Sequence, residues 1–166
     1  TIMTTLMKRF TQDTVIFIGV IVSLLLLLFL ASISRYGSYD RIPLVMNVLP
    51  HATFGDTQVT LTVADTQASR TKGLSGRPGL GADEGMLFVF EQLGYPGIWM
   101  KDMQFSIDVL WLDQTNTIVD IREVVSPETY PQVFAPKAKS IFVIELPAGF
   151  VQEHEIKIGD QISIKK

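Results

Sequence analysis

At 166 residues the chain has room for one ordinary domain, and its formal net charge of −3 and absence of cysteine exclude several functional classes together. From Arg35 onward it carries 12 Lys/Arg against 16 Asp/Glu, a net charge of −4, which is the wrong sign for tracking a phosphate backbone, so no nucleic-acid partner is expected. Without cysteine there is no disulfide, no thiolate nucleophile and no Cys-ligated zinc.

The mean hydropathy of +0.29 with only 19% charged residues is unusual for a water-soluble chain, and the apolar excess lies between Val15 and Ile33. Those 19 residues hold no charge, and as a helix they would rise about 29 Å, close to the ~30 Å hydrocarbon core of a bilayer. Lipid cannot satisfy free backbone N–H and C=O groups, so a segment crossing it must bond within itself. The organisation expected is a short tail over 1–14, a transmembrane signal-anchor helix over 15–34, a linker over 35–56 and a β-rich domain over 57–166. Lys8 and Arg9 before the span and Arg35 and Arg41 after it nearly balance, but the short basic tail resembles a signal-anchor start. The expectation is therefore a single-pass membrane protein, N-terminus cytoplasmic and C-terminal domain extracytoplasmic. The alternative is a cleaved signal peptide, with Ser32 and Ser34 as small residues before the cut. The run exceeds the usual ~7–15 residues of the apolar region of such a peptide and no A-x-A appears, which favours a retained anchor.

Within the linker, two prolines and two glycines interrupt any long element, and Tyr36 and Tyr39 suit either the lipid headgroup interface or an ordinary solvated linker. Val59, Leu61 and Val63 then alternate with Thr60 and Thr62, the period-two signature of a strand with one buried face. Asp65 or Thr66 can cap a short helix ending at Gly73. Gly76, Pro78, Gly79 and Gly81 make the next stretch a loop, and the run from Gly85 to Phe90, apolar on both faces, reads as an interior strand.

A second cluster of breakers, Gly94-Tyr95-Pro96-Gly97, leads into a predicted interior strand running from Ile98 to Asp113. Phe105, Ile107, Val109 and Trp111 share one of its faces, and Leu110 and Leu112 fill the other. Asp113 to Thr117 is a polar hairpin loop before Val119, Ile121 and Val125. After a proline-spaced loop from Pro127 to Pro136 comes the strand Ser140–Leu146. Ile156, Ile158, Ile162 and Ile164 flank Gly159-Asp160 as a final hairpin or bulge. The fold class is thus mainly β (α+β): six or seven short, mostly antiparallel strands with one or two short helices, preceded by the single transmembrane helix.

The ordered series Arg70-x-x-Gly73-Leu74, Gly85 to Phe90, Trp99-Met100-Lys101, Asp108 in an apolar strand, Glu145-Leu146-x-Ala148-Gly149 and Gly159-Asp160 resembles the domain of unknown function 192 family. The resemblance covers nearly all of Thr57 to Ile164. It implies a small, mostly β domain, commonly exported or lipid-facing at its N-terminus, and implies no reaction. Asp102-Met103 stands where the family typically has Asn-Thr, and Ser106-Ile107 where Pro-Leu commonly precedes the aspartate. A ligand role built on an amide at position 102 is therefore not carried over.

Charges embedded in apolar strands are the remaining chemical signal, because a buried charge is costly unless it is paired. Lys101, Asp102, Asp108 and Glu145 could converge to bind a cation, polarise a ligand or perform acid/base chemistry. The bland reading, which is preferred, pairs Arg70 or Lys101 with Asp108 or Glu145 to hold strand register. Trp99 and Trp111 could stack a ligand but suit a core better, as Met86, Met100 and Met103 suit a core better than a thioether metal site. Histidine occurs only at 51 and 154, with no hydrolase, phosphate-loop or zinc-protease motif. Arg70, Lys72 and Arg77 flank a glycine-rich stretch that could cradle an anion but reads better as a loop.

The expected function is non-catalytic binding of a protein partner or small envelope ligand, through candidate residues Arg70, Arg77, Trp99, Met100, Lys101, Asp102, Asp108 and Glu145. No catalytic residue, metal or cofactor is expected. The alternatives are an enzyme using the Lys/Asp/Glu cluster in a cleft, and a structural accessory subunit of a membrane complex.

Overall fold

The computed structural model describes residues 21–30 and 49–165, and the chain divides into two units, residues 1–46 and 47–166. In the first unit residues 21–30 are helical. Ten residues rise only about 15 Å, and among the described residues no helix is long and apolar enough to cross a membrane. The rest of the expected span over 15–34 lies outside the described residues, as does the linker up to residue 48.

The second unit is built on a seven-stranded sheet in the order β6-β5-β8-β3-β2-β1-β9, with a separate two-stranded ribbon of β4 and β7. Strands β1 (His51–Phe54) and β2 (Thr57–Ala64) form a hairpin, and α1 (Gln67–Lys72) follows. Thr66 caps α1 by accepting the Ser69 N–H while the Ser69 hydroxyl accepts the Thr66 N–H, a reciprocal capping box that explains why the helix starts there. β3 (Glu84–Gly94) pairs parallel to β2, which requires the long crossover through α1. β4 (Ile98–Trp99), β5 (Ile107–Leu112), β6 (Ile118–Val125), a 3-10 turn at Pro127–Thr129, β7 (Val133–Phe134), β8 (Ser140–Pro147), α2 (Phe150–Glu153) and β9 (Ser163–Lys165) complete the domain.

The mainly-β reading with few short helices holds, and three local expectations are corrected. Residues 98–113 are not one strand: β4 and β5 are separated by a turn in which Asp102 takes a positive φ of 56°. β1 forms inside the stretch read as linker, because its alternating Ala52 and Phe54 gain partners on β2, and Ala52 also on β9, which is more than a hundred residues away. No terminal hairpin forms around Gly159-Asp160. The turn there instead docks on the start of β6, where the Ile118 N–H donates to the Asp160 carbonyl and the Gly159 N–H to the Ile118 carbonyl.

Strand pleating sends alternate residues to two cores, one on each face of the sheet. Leu61, Leu87, Leu110, Leu112, Ile144 and Leu146 pack on one face with Phe150 and Val151 of α2. Met86, Phe88, Val109, Trp111 and Val143 pack on the other with Leu74, Ile98 and Met100. Trp111 is fully buried and its indole N–H donates to the Pro96 carbonyl at 2.9 Å, so it belongs to the core. Gly85 sits where neighbouring atoms leave no room: an added Cβ would lie 2.9 Å from Leu61 Cδ2 and 3.0 Å from the Glu145 carbonyl oxygen. Replacing Gly85 with alanine is expected to cost about 1–3 kcal/mol through overpacking, read as a lower urea midpoint with an unchanged slope.

Candidate functional site

β8 carries Glu145 between Met86 of β3 and Val109 of β5, and its side chain falls on the face of the sheet that holds Val143. α1 and the ribbon strand β4 cover part of that face and leave a cavity of about 200 Å³. Glu145 lines this cavity together with Arg70, Lys72, Gly73, Phe88 and Trp99. The carboxyl is only 4% exposed, and its buried Oε2 makes no hydrogen bond among the described residues. Burial alone pushes the Glu145 pKa up to about 8, because an apolar surrounding penalises the charged form. A buried, unpartnered carboxyl beside an open cavity is the arrangement most often kept for binding or chemistry.

Arg70 does not neutralise it. Its Nη1 donates to the carbonyls of Asp65 (2.7 Å) and Val89 (2.8 Å), and its guanidinium lies 5.3 Å from the centre of the Phe90 ring. These contacts pin α1 to β3 and fix the guanidinium in the cavity wall. At the end of α1, Gly73 adopts a φ of +47°, which favours glycine, and a Cβ there would lie 3.4 Å from the Phe88 ring. Trp99 is 44% exposed on β4, directly opposite Val133 of β7, and forms part of the cavity wall.

Among the eight candidate residues, the cavity brings together Arg70, Trp99 and Glu145 and leaves out the other five. Met100 is 1% exposed and packs in the core. Lys101 and Asp102 have exposed side chains, and their contribution is through the backbone: the Ser75 hydroxyl donates to the Lys101 carbonyl and the Gly76 N–H to the Asp102 carbonyl, both at 2.8 Å. The positive φ at Asp102 is one that Asp and Asn tolerate better than most residues, so the backbone of this turn accommodates either. Arg77 is half-buried in the loop that follows α1, outside the cavity wall.

Asp108 is fully buried and belongs to the opposite face, with Leu110 and Leu112. Its Oδ1 accepts the Val124 N–H at 2.8 Å and its Oδ2 the Val151 N–H at 2.9 Å. Neither of the expected pairings, Arg70 or Lys101 with Asp108 or Glu145, occurs. The one ion pair among the described residues joins Arg122 to Asp120 at 3.6 Å. With Asp108 satisfied by backbone N–H groups and Lys101 and Asp102 exposed on a turn, the converging Lys/Asp/Glu cluster of the enzyme reading does not assemble.

Sequence reasoning did not assign Phe88, Ser75 or Met103 to the site, although all three line it. The alternation along β3 that puts Phe88 on the face of Met86 was legible, but the register of β3 against β8 was not. A second, more open cavity lies beside α2, where His154 Nδ1 is 3.3 Å from the Thr57 hydroxyl and the His154 ring packs on Phe150. Its acidic neighbours Asp83 and Glu153 are exposed, and it offers no buried unsatisfied group.

Residues 50–164 match the family model for domain of unknown function 192, described as Uncharacterized ACR. A UPF0127 protein of Thermococcus kodakarensis is 31% identical over 103 residues, covering 61% of this chain and 62% of that protein. Another, of Thermococcus sibiricus, is 30% identical over 100 residues, covering 60% and 62%. The chain thus spans about 62% of the length of these curated relatives. A proposed transcription regulator of Sinorhizobium meliloti has a similar structure, with a TM-score of 0.64 at 25% identity over 69% of this chain and 91% of that one. A protein of unknown function from Novosphingobium aromaticivorans shares the fold with a TM-score of 0.64 at 23% identity, over 69% and 83% of the two chains.

Proposed function

This chain belongs to the domain of unknown function 192 family, and from that premise we propose that its β-rich domain is a non-catalytic small-ligand-binding module, held at a membrane and facing away from the cytoplasm. The observation that carries the binding role is Glu145, a nearly sealed carboxyl with an unbonded oxygen beside a cavity whose wall also holds Arg70 and Trp99. An empty protein gains nothing from leaving a buried polar atom unsatisfied, whereas a ligand that supplies the missing hydrogen bond recovers that cost. Membrane attachment is supported by the uncharged run from Val15 to Ile33 and by the helical state of residues 21–30 within it. The extracytoplasmic side is supported by the basic Lys8-Arg9 pair ahead of that run.

Thermal-shift screening of the detergent-solubilised full chain against small polar and amphipathic compounds tests the binding role. At least one class is expected to raise the melting temperature of the wild type and not of Glu145→Gln. No shift from any compound, or equal shifts in both proteins, counts against the cavity as a binding site. Trp99→Ala is expected to change stability by no more than about 0.5 kcal/mol because the ring is half in solvent, while weakening the same ligand about tenfold. Carbonate washing of membranes and protease treatment of intact cells test the attachment. Release of the chain by carbonate, or a domain protected inside the cell, removes that part of the reading.

A further inference from the structure

The charges around the Glu145 cavity narrow the chemistry of its occupant. Among the described residues two other charged side chains line it, Arg70 and Lys72, both in the last turn of α1. A purely cationic ligand would suit the ionised carboxyl but meet two positive charges, and a purely anionic one would suit those cations but bring no cation with which Glu145 could pair. A molecule with both charges satisfies all three groups. The rest of the wall combines polar Gln67, Thr71 and Ser75 with an apolar part that includes Leu74, Phe88, Phe90 and Trp99. At about 200 Å³ the space is smaller than the ~300 Å³ at which drug-sized pockets begin, so the occupant is small.

We infer that the cavity takes a zwitterionic α-amino acid with an apolar side chain, its ammonium group at Glu145, its carboxylate toward Arg70 and Lys72, and its side chain against Phe88 and Trp99. This assignment rests on the cavity being a ligand site. The bonds from Arg70 to the Asp65 and Val89 carbonyls hold the guanidinium in place before a ligand arrives, which lowers the ordering cost of binding. Phe88, Phe90 and the half-exposed Trp99 supply the aromatic surface of the wall for an apolar side chain.

Binding in this pose is linked to a proton. In the empty cavity burial keeps Glu145 protonated up to a pH of about 8, and an ammonium group beside it favours the ionised form. Among the described residues, the charged groups that share the cavity wall with Glu145 are Arg70 and Lys72 of α1. β3 presents Met86 and Phe88, β5 presents Val109, and β4 presents Ile98 and Trp99, none of which titrates in this range. Ligand entry therefore expels a proton at neutral pH, and affinity rises with pH up to about 8.

Calorimetric titration of the full chain at neutral pH with L-phenylalanine, phenethylamine and 3-phenylpropionate separates the possibilities, since the last two keep the ring and lose one charge each. L-Phenylalanine is expected to bind at least about tenfold more tightly than either analogue. It is also expected to release close to one proton when phosphate and Tris buffers are compared, and to lose about tenfold or more in affinity to Glu145→Gln. If either single-charge analogue binds as tightly as L-phenylalanine, the zwitterion assignment is overturned and the cavity remains a ligand site. Failure of all three, while another compound shifts the melting temperature through Glu145, overturns the amino-acid class alone. Failure of all three together with an unresponsive screen overturns both readings.

Discussion

Between about pH 5 and pH 9 the unfolding free energy of the wild-type chain is expected to fall by several kcal/mol, and Glu145→Gln is expected to lose most of that dependence. The cause is the rise of the Glu145 pKa from an ordinary 4.5 to about 8 on burial. Above about 4.5 the unfolded chain gives up this proton while the folded chain keeps it, so the unfolded state binds fewer protons and stability falls by at most ~1.4 kcal/mol per pH unit. The contribution of the neutral acid is complete below the unfolded value and is gone once pH has risen through about 8, where the curve levels. Glutamine has the shape of the protonated acid and cannot ionise, which is why it removes the slope. Asp113 acts in the opposite direction: hydrogen bonds from Thr115 and Thr117 hold its pKa below 3.8, so its contribution is lost only in stronger acid, outside this window. Urea midpoints at five pH values measure the effect. A flat wild-type profile, or equal slopes in both proteins, would falsify the buried-acid account.

Asp108→Ala is expected to be the most damaging single substitution on the opposite face, at about 3–5 kcal/mol. Both oxygens of this fully buried side chain accept backbone N–H groups, and alanine leaves the buried Val151 N–H and the part-buried Val124 N–H without that partner. The partners are separated in sequence. Val124 sits with φ +50° where β6 shifts register against β5, and Val151 lies in α2, so the carboxylate ties an edge irregularity and a helix to the sheet. Asp108→Asn keeps one acceptor but turns an NH₂ group toward an N–H donor, so most of the loss is expected there too. The melting temperature should drop by roughly 10 °C or more for either variant. An asparagine variant as stable as the wild type would show that one bond suffices and the second is dispensable. Neither substitution touches the Glu145 cavity, so ligand affinity measured below the melting transition should stay within about twofold.

The two carboxylates illustrate how far the sequence could be read. Both stood out as charges inside apolar strands, and both are buried. Their fates differ for a reason that lies in register: Asp108 pairs with Leu146 across β5 and β8, one position away from the pairing of Glu145 with Val109, so the pleat sends them to opposite faces. One meets backbone donors from β6 and α2, and the other meets a cavity under α1. The adjacent candidates Trp99, Met100 and Lys101 part in the same way, since Met100 turns inward, Trp99 flanks the cavity and Lys101 stands in solvent. Arg70 was singled out as a charge and lines the cavity, yet its hydrogen-bond partners are carbonyls, groups every residue carries and no side-chain pattern reveals.

By itself the sequence determined the elements that depend on local chemistry: the alternating strand through Val59, Leu61 and Val63, the capped helix ending at Gly73, the interior strand from Gly85 and the polar hairpin turn at Asp113, together with the absence of cysteine. Those follow from periodicity, capping and composition, which act within a few residues. Only the tertiary structure decided that β2 and β3 run parallel, that His51–Phe54 finds its second partner at the far end of the chain, and that Glu145, not Asp108, is the carboxyl left facing a cavity. These outcomes are set by which distant strands become neighbours. A strand's two faces are chemically alike until its partners and the helix above it determine which face is filled and which is left open.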